Sequence, residues 1–172
     1  MPRRYRRKTY HKNKYSIEHS FISTPPISSW STIEAQNETQ SDSKQFALSI
    51  IPPTELEGMR KAKHFTLTFG NFLDSTERIH LLYALVFVPQ GYTPQSIRYP
   101  SPGYAQSMYQ ANQFVISSGV LDFSGGPLRV RSPLSRNLNS GDSIYLILAT
   151  GNYTEVNSGN FFIEVSYAIT LQ

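Results

Sequence analysis

The sequence predicts an all-β domain, an antiparallel sandwich or barrel, behind a disordered or extended basic N-terminal arm. Apolar and polar residues alternate in several short runs, the pattern of strands with one buried face. No segment keeps a helical period for ten residues or more. Seven of the sixteen Lys and Arg residues fall in the first fourteen positions.

Residues 1–29 read as arm and linker. The first fourteen are charged, and 16–29 is rich in Ser, Thr and Pro, with little to bury a core face. Residues 30–172 read as the folded domain. A polar loop is expected over 36–44. Phe46, Leu48 and Ile50 then alternate with Ala47 and Ser49, and Pro52-Pro53 stops the run. Phe65, Leu67 and Phe69 alternate with His64, Thr66 and Thr68 in the same way.

Residues 81–88 are apolar on both faces and end at Pro89-Gln90-Gly91, which marks a central strand. The connection over 95–111 has room for one short helix around 104–110. Strands are expected at 114–116 and 120–123, on either side of Ser117-Ser118-Gly119, and at 128–131. The cluster Asn-Leu-Asn-Ser-Gly-Asp over 137–142 reads as a turn before a second two-faced run at 144–149. Residues 161–171 alternate through Phe161, Ile163, Val165, Tyr167, Ile169 and Leu171, the clearest strand of the chain. About eight strands result.

Composition narrows the function. The 172 residues suffice for one ordinary domain with a substantial core plus an arm. The chain has no cysteine, which excludes a disulfide framework, a Cys-based zinc site and a cysteine nucleophile. The basic start is followed by polar residues, unlike a secretory signal, and the longest apolar run is far below the ~18 residues of a membrane helix. The Asn-x-Thr triplets at Asn37 and Asn152 are therefore read as chance.

No Ser sits in a Gly-x-Ser-x-Gly elbow, and the four histidines are scattered. No His-x-His pair converges on a carboxylate as a β-barrel metal enzyme requires. Gly125-Gly126-Pro127 precedes a strand and lacks the helix N-terminus that cradles phosphates. The chain is accordingly read as no enzyme, with no cofactor and no metal.

The arm is the strongest signal. Arg3, Arg4, Arg6, Arg7, Lys8, Lys12 and Lys14 precede the first acid, Glu18. Sixteen basic residues less these seven leave nine against twelve acidic ones, so the chain from Tyr15 onward carries −3. Each arm cation that neutralises a phosphate releases counterions, with a log–log salt slope of ~0.7 per contact on single strands. Tyr5, Tyr10 and Tyr15 interleave with the cations and offer rings on which unpaired bases stack. The arm thus suits single-stranded nucleic acid. Alternation sets Arg129 and Arg131 on one strand face, either as a second nucleic-acid contact or as partners of acids. The Tyr-rich stretch 91–111, with Tyr92, Tyr99, Tyr104 and Tyr109, is expected at a subunit interface, because tyrosine combines rigid area with a polar tip, the alternative being an exposed antigenic loop.

These features resemble the coat proteins of small circular single-stranded DNA viruses, the circovirus- and nanovirus-like group. The resemblance is carried by Met-Pro-Arg-Arg-Tyr-Arg-Arg-Lys over 1–8 and Met-Arg-Lys-Ala-Lys-His-Phe-Thr-Leu-Thr-Phe over 59–69. The stretch Leu-Asn-Ser-Gly-Asp-Ser-Ile-Tyr-Leu-Ile over 138–147 and the final alternating strand add to it. It implies a single eight-stranded jelly roll, sixty copies in a T=1 icosahedral shell, and an inward arm that packages single-stranded DNA. It also implies that the arm doubles as a nuclear localisation signal read by host import machinery, with the protein in the virion and, during assembly, the host nucleus. The competing readings are a non-capsid β-barrel that binds single strands and the coat protein of a small RNA or satellite virus.

Overall fold

The structure, a computed structural model, describes residues 15–33, 43–55, 57–71, 80–97, 111–122, 127–151 and 160–171. Nine strands run through them: β1 (Ser16–Ser23), β2 (Ser31–Ile33), β3 (Ser43–Ile51), β4 (Arg60–Asn71), β5 (His80–Val88), β6 (Phe114–Asp122), β7 (Leu128–Leu138), β8 (Ser143–Gly151) and β9 (Phe161–Leu171). A single 3-10 turn occupies Ile27–Ser29. The strands form two antiparallel sheets, of order β1-β9-β4-β7 and β2-β3-β8-β5-β6. No helix among the described residues is long and apolar enough to cross a membrane.

Alternation builds the core between the sheets. Phe65, Leu67 and Phe69 of β4 and Phe161, Ile163 and Val165 of β9 point inward from one sheet. Leu81, Tyr83 and Leu85 of β5 and Ile144, Leu146 and Leu148 of β8 meet them from the other. Trp30 sits at one end of this core, its ring 5.7 Å from Phe46 and 6.1 Å from Phe161, its Nε1–H donating to the Pro25 carbonyl at 3.0 Å.

The two-faced runs behave as expected. Leu82, Ala84, Val86 and Val88 of β5 and Ile147 and Ala149 of β8 are buried on the outer face of their sheet, with Ile97 packed among them. The stretch leading to Ile97 is pinned by glutamine side chains: Gln45 Oε1 accepts from Ile97 N and Gln113 Oε1 from Gln95 N, both at 2.8 Å.

Several expectations are corrected. Residues 16–29 hold ordered structure: β1 pairs with β9 from Ser16↔Ile169 to Ser23↔Phe162, and Ile27 joins the core. Pairing along a full-length neighbour supplies the hydrogen bonds that this polar segment cannot supply by burial. Among the described residues the strands number nine: β1 and the three-residue β2 are additions, and two expected strands merge into one. The separate strands expected at 114–116 and 120–123 are one strand, β6, and that expected at 128–131 runs on to Leu138. The loop expected over 36–44 gives way to β3 at Ser43. Arm residues 1–14, the helix expected around 104–110, Tyr99, Tyr104, Tyr109, Asn37 and Asn152 lie outside the described residues.

Candidate nucleic-acid interface

β4 divides its own basic cluster. Ala62 faces the core, so Lys61 and Lys63 project to the other side of the sheet. Arg60, on the Ala62 side, is used structurally: Nη1 donates to the Pro52 carbonyl at 3.2 Å and Nη2 to the Asp142 carbonyl at 3.1 Å. Arg60 therefore stands apart from Lys61 and Lys63. Asp142 itself closes the 137–142 turn, its carboxylate accepting from Asn139 N at 2.8 Å and Gln90 N at 3.0 Å.

Beyond Lys63 the strand would slip out of phase, but His64 intervenes at φ 57° and the register shifts there against both neighbours. One extra residue restores Phe65 to the core and Thr66 and Thr68 to the outer face.

The registers set these outward residues in rows across the four-stranded sheet. One row reads Phe21, Glu164, Thr68, Arg129, and the next His19, Ser166, Thr66, Arg131. The third reads Ile17, Ala168, Lys63, Ser135, and a fourth ends Thr170, Lys61, Asn137. The middle of the face is floored by short side chains, bounded on the β1 side by apolar residues and on the β7 side by arginines. Four cations stand in these rows against the one carboxylate of Glu164.

Arg129 and Arg131 are exposed. Glu164 is two strands from Arg129 in its row, roughly 9–10 Å between backbones at the usual strand spacing.

Tyr15, the first described residue, lies on this face. Tyr15, directly after the arm, lies beneath Lys63, whose Nζ is 3.6 Å from the ring centroid. Such a cation–π contact is worth ~0.5–1 kcal/mol at an exposed site. Tyr15, read from sequence as a base-stacking ring, is engaged by Lys63 on one ring face. Arg3, Arg4, Tyr5, Arg6, Arg7, Lys8, Tyr10, Lys12 and Lys14 lie outside the described residues.

Two residues of the face were not anticipated. Ile17 and Phe21 are 69% and 68% exposed, and Phe21 stacks on Phe162 with centroids 5.6 Å apart. The available signal was the weak alternation Ile17, His19, Phe21 inside a segment dominated by Ser. Of the expected interface tyrosines, Tyr92 is described and is 51% exposed, next to the turn in which its N–H reaches the Pro89 carbonyl. No group of three or more His, Cys, Asp or Glu able to hold a metal ion occurs among the described residues.

The sequence matches no protein-family model and no curated protein. Among solved structures, the chain is similar to a full particle of Israeli acute paralysis virus heated to 63 degrees. The identity is 10% and the TM-score 0.40, over 100% of this chain and 85% of that one. It is also similar to SACOL2612, a CocE/NonD family hydrolase of Staphylococcus aureus, at 10% identity and TM-score 0.37, over 94% of this chain and 34% of that one. Both superpose too loosely to assign a function. What the fold and the face define is a two-sheet antiparallel β protein with one open cationic sheet face.

Proposed function

We propose that this chain is the capsid protein of a small circular single-stranded DNA virus. It packages its genome through the arm, assembles as about sixty copies in an icosahedral shell, and carries no catalytic role. The observation that carries the reading is where the arm joins the body: its seven cations lead into Tyr15, on the sheet face that presents Lys61, Lys63, Arg129 and Arg131. The cations of arm and face together offer a polyanion its binding surface on an otherwise acidic-leaning body.

The strand order supports a jelly roll. With β2 set aside, sheets β1-β9-β4-β7 and β3-β8-β5-β6 interleave as two antiparallel Greek keys do. In the shell the cationic face turns inward to the genome, and the Tyr92 region meets a neighbouring subunit. The arm also serves as the nuclear address read by the import machinery.

The test compares the full chain with a variant lacking residues 1–14. The arm should contribute about −5 to the log–log salt slope on single-stranded DNA, from seven contacts at ~0.7 each. Its removal should lower affinity by orders of magnitude at moderate salt, with the circular dichroism spectrum unchanged. Replacing Arg3, Arg4, Arg6 and Arg7 with Ala should cut the slope by about 3. A folded deletion variant that binds as tightly as the full chain contradicts the reading.

A further inference from the structure

Among the described residues β1 pairs with β9 alone, which leaves its other side an open sheet edge. The two sheets end in four edge strands, and three of them carry features that blunt an edge. β2 is only three residues long. β6 has a bulge at Ile116, between the residues that face Leu85 and Val86. β7 carries Pro133 among Arg129, Arg131 and Arg136. β1 runs for eight residues with no proline, lysine or arginine and no shift of register.

The ladder shows which groups this edge presents. Thr24 N donates to the Phe161 carbonyl at 2.8 Å, in the register that β1 keeps with β9. Bonded pairs recur at every second residue of an antiparallel ladder, so Ser16, Glu18, Ser20 and Ile22 bond to β9. Ile17, His19 and Phe21 therefore turn their N–H and C=O groups to the open edge. The side chains of the same three residues lie on the outer face. Ile17 and Phe21 are the two most exposed large hydrophobic residues described.

We infer that β1 pairs antiparallel with β1 of a second copy of this chain, about a two-fold axis at His19. Edge-directed backbone groups must meet edge-directed groups, and opposed side chains must share a face. Of the registers that meet both conditions, the one centred on His19 sets Ile17 against the partner's Phe21 and Phe21 against the partner's Ile17. Aromatic and β-branched side chains are a favoured cross-strand pair. Three bonded pairs exchange about six backbone hydrogen bonds, and Glu18 falls opposite the partner's Ser20. The axis is normal to the sheet, so two four-stranded sheets join as one with both cationic faces on the same side. The inference rests on the self-assembly in the capsid reading and names one two-fold contact of the shell.

The chain has no cysteine, so cysteine variants of the full chain report the register directly. Opposed residues of a bonded pair have Cα atoms ~5.5 Å apart, within disulfide reach. Ile17 and the partner's Ile17 would be ~13 Å or more apart. Under mild oxidation without nucleic acid, His19→Cys should yield covalent dimers on the order of tenfold more than Ile17→Cys. Ile17→Cys combined with Phe21→Cys should cross-link as well as His19→Cys. Adding His19→Pro to that pair should abolish the cross-link with the circular dichroism spectrum unchanged, because this N–H points away from β9. If the proline variant does not fold, the cysteine comparison decides alone. Equal yields from His19→Cys and Ile17→Cys overturn the contact. So does the absence of dimers from His19→Cys, the result expected if another segment lay along β1. Shells that still form with circular single-stranded DNA would then leave the capsid reading standing. Register-specific dimers that never close into shells would support the contact and remove the capsid.

Discussion

His64 and Tyr167 show how single residues set the cationic sheet. A left-handed φ is uncommon outside glycine, and histidine is among the residues that tolerate it. At His64 it converts an out-of-phase strand into one with Lys61 and Lys63 outside and Phe65, Leu67 and Phe69 inside. On the inner side, Tyr167 packs 6.0 Å from Phe65 and pairs across β1 with Glu18. Burial first, and the negative charge of Glu18 second, push its hydroxyl above the usual 10.0, with Arg60 opposing. A raised folded-state value means that the unfolded chain loses this proton first. The stabilisation is complete below pH 10.0 and is lost as pH rises through the raised value. Unfolding midpoints measured across this range should fall more steeply for the native chain than for Tyr167→Phe. Equal slopes would show that Tyr167 does not titrate as the packing implies.

At the scale of elements, the strands legible in the sequence are those with an unbroken period or an unbroken apolar run, namely β3, β4, β5, β8 and β9. β6 and β7 were read only in part, and β1 and β2 not at all, for reasons that are tertiary. Ser117-Ser118-Gly119 has turn composition, yet β6 passes straight through it. A Cβ on Gly119 would come within 3.0 Å of the Tyr83 ring, and Tyr83 Oη lies 3.2 Å from Ser117 Oγ. The small residues make room for a ring and do not bend the chain. Pro133 lies within β7. It falls opposite the irregularity at His64, on a strand bonded only to β4 within its sheet, where a missing N–H is tolerated. β1 was illegible because its order comes from β9. The candidate site divides along the same line: the arm and the Arg129/Arg131 pair can be read from spacing, whereas their union with Lys61 and Lys63 needs the β4–β7 register. That union is testable. Replacing Lys61, Lys63, Arg129 and Arg131 with Ala while keeping the arm should reduce the salt slope on single-stranded DNA by about 3. No change in slope would mean that the arm acts without the face.

The whole molecule is asymmetric in a way that suits a shell subunit. One sheet is covered on its outer face by the segment ending at Ile97, and the other presents a flat cationic floor at the root of the arm. The charge follows the same division, with seven positive charges in the first fourteen residues and −3 in the remainder. A body near neutrality lets copies approach closely, and the arms of sixty copies would bring about 420 positive charges to a genome on the order of a thousand phosphates. The most direct measurement is the size of the purified full-length protein mixed with circular single-stranded DNA, by negative-stain microscopy with sedimentation velocity. Closed, uniform particles sedimenting as a megadalton species are predicted. A species of tens of kilodaltons that binds DNA without forming shells would contradict the capsid account and leave a single-strand-binding β module in its place.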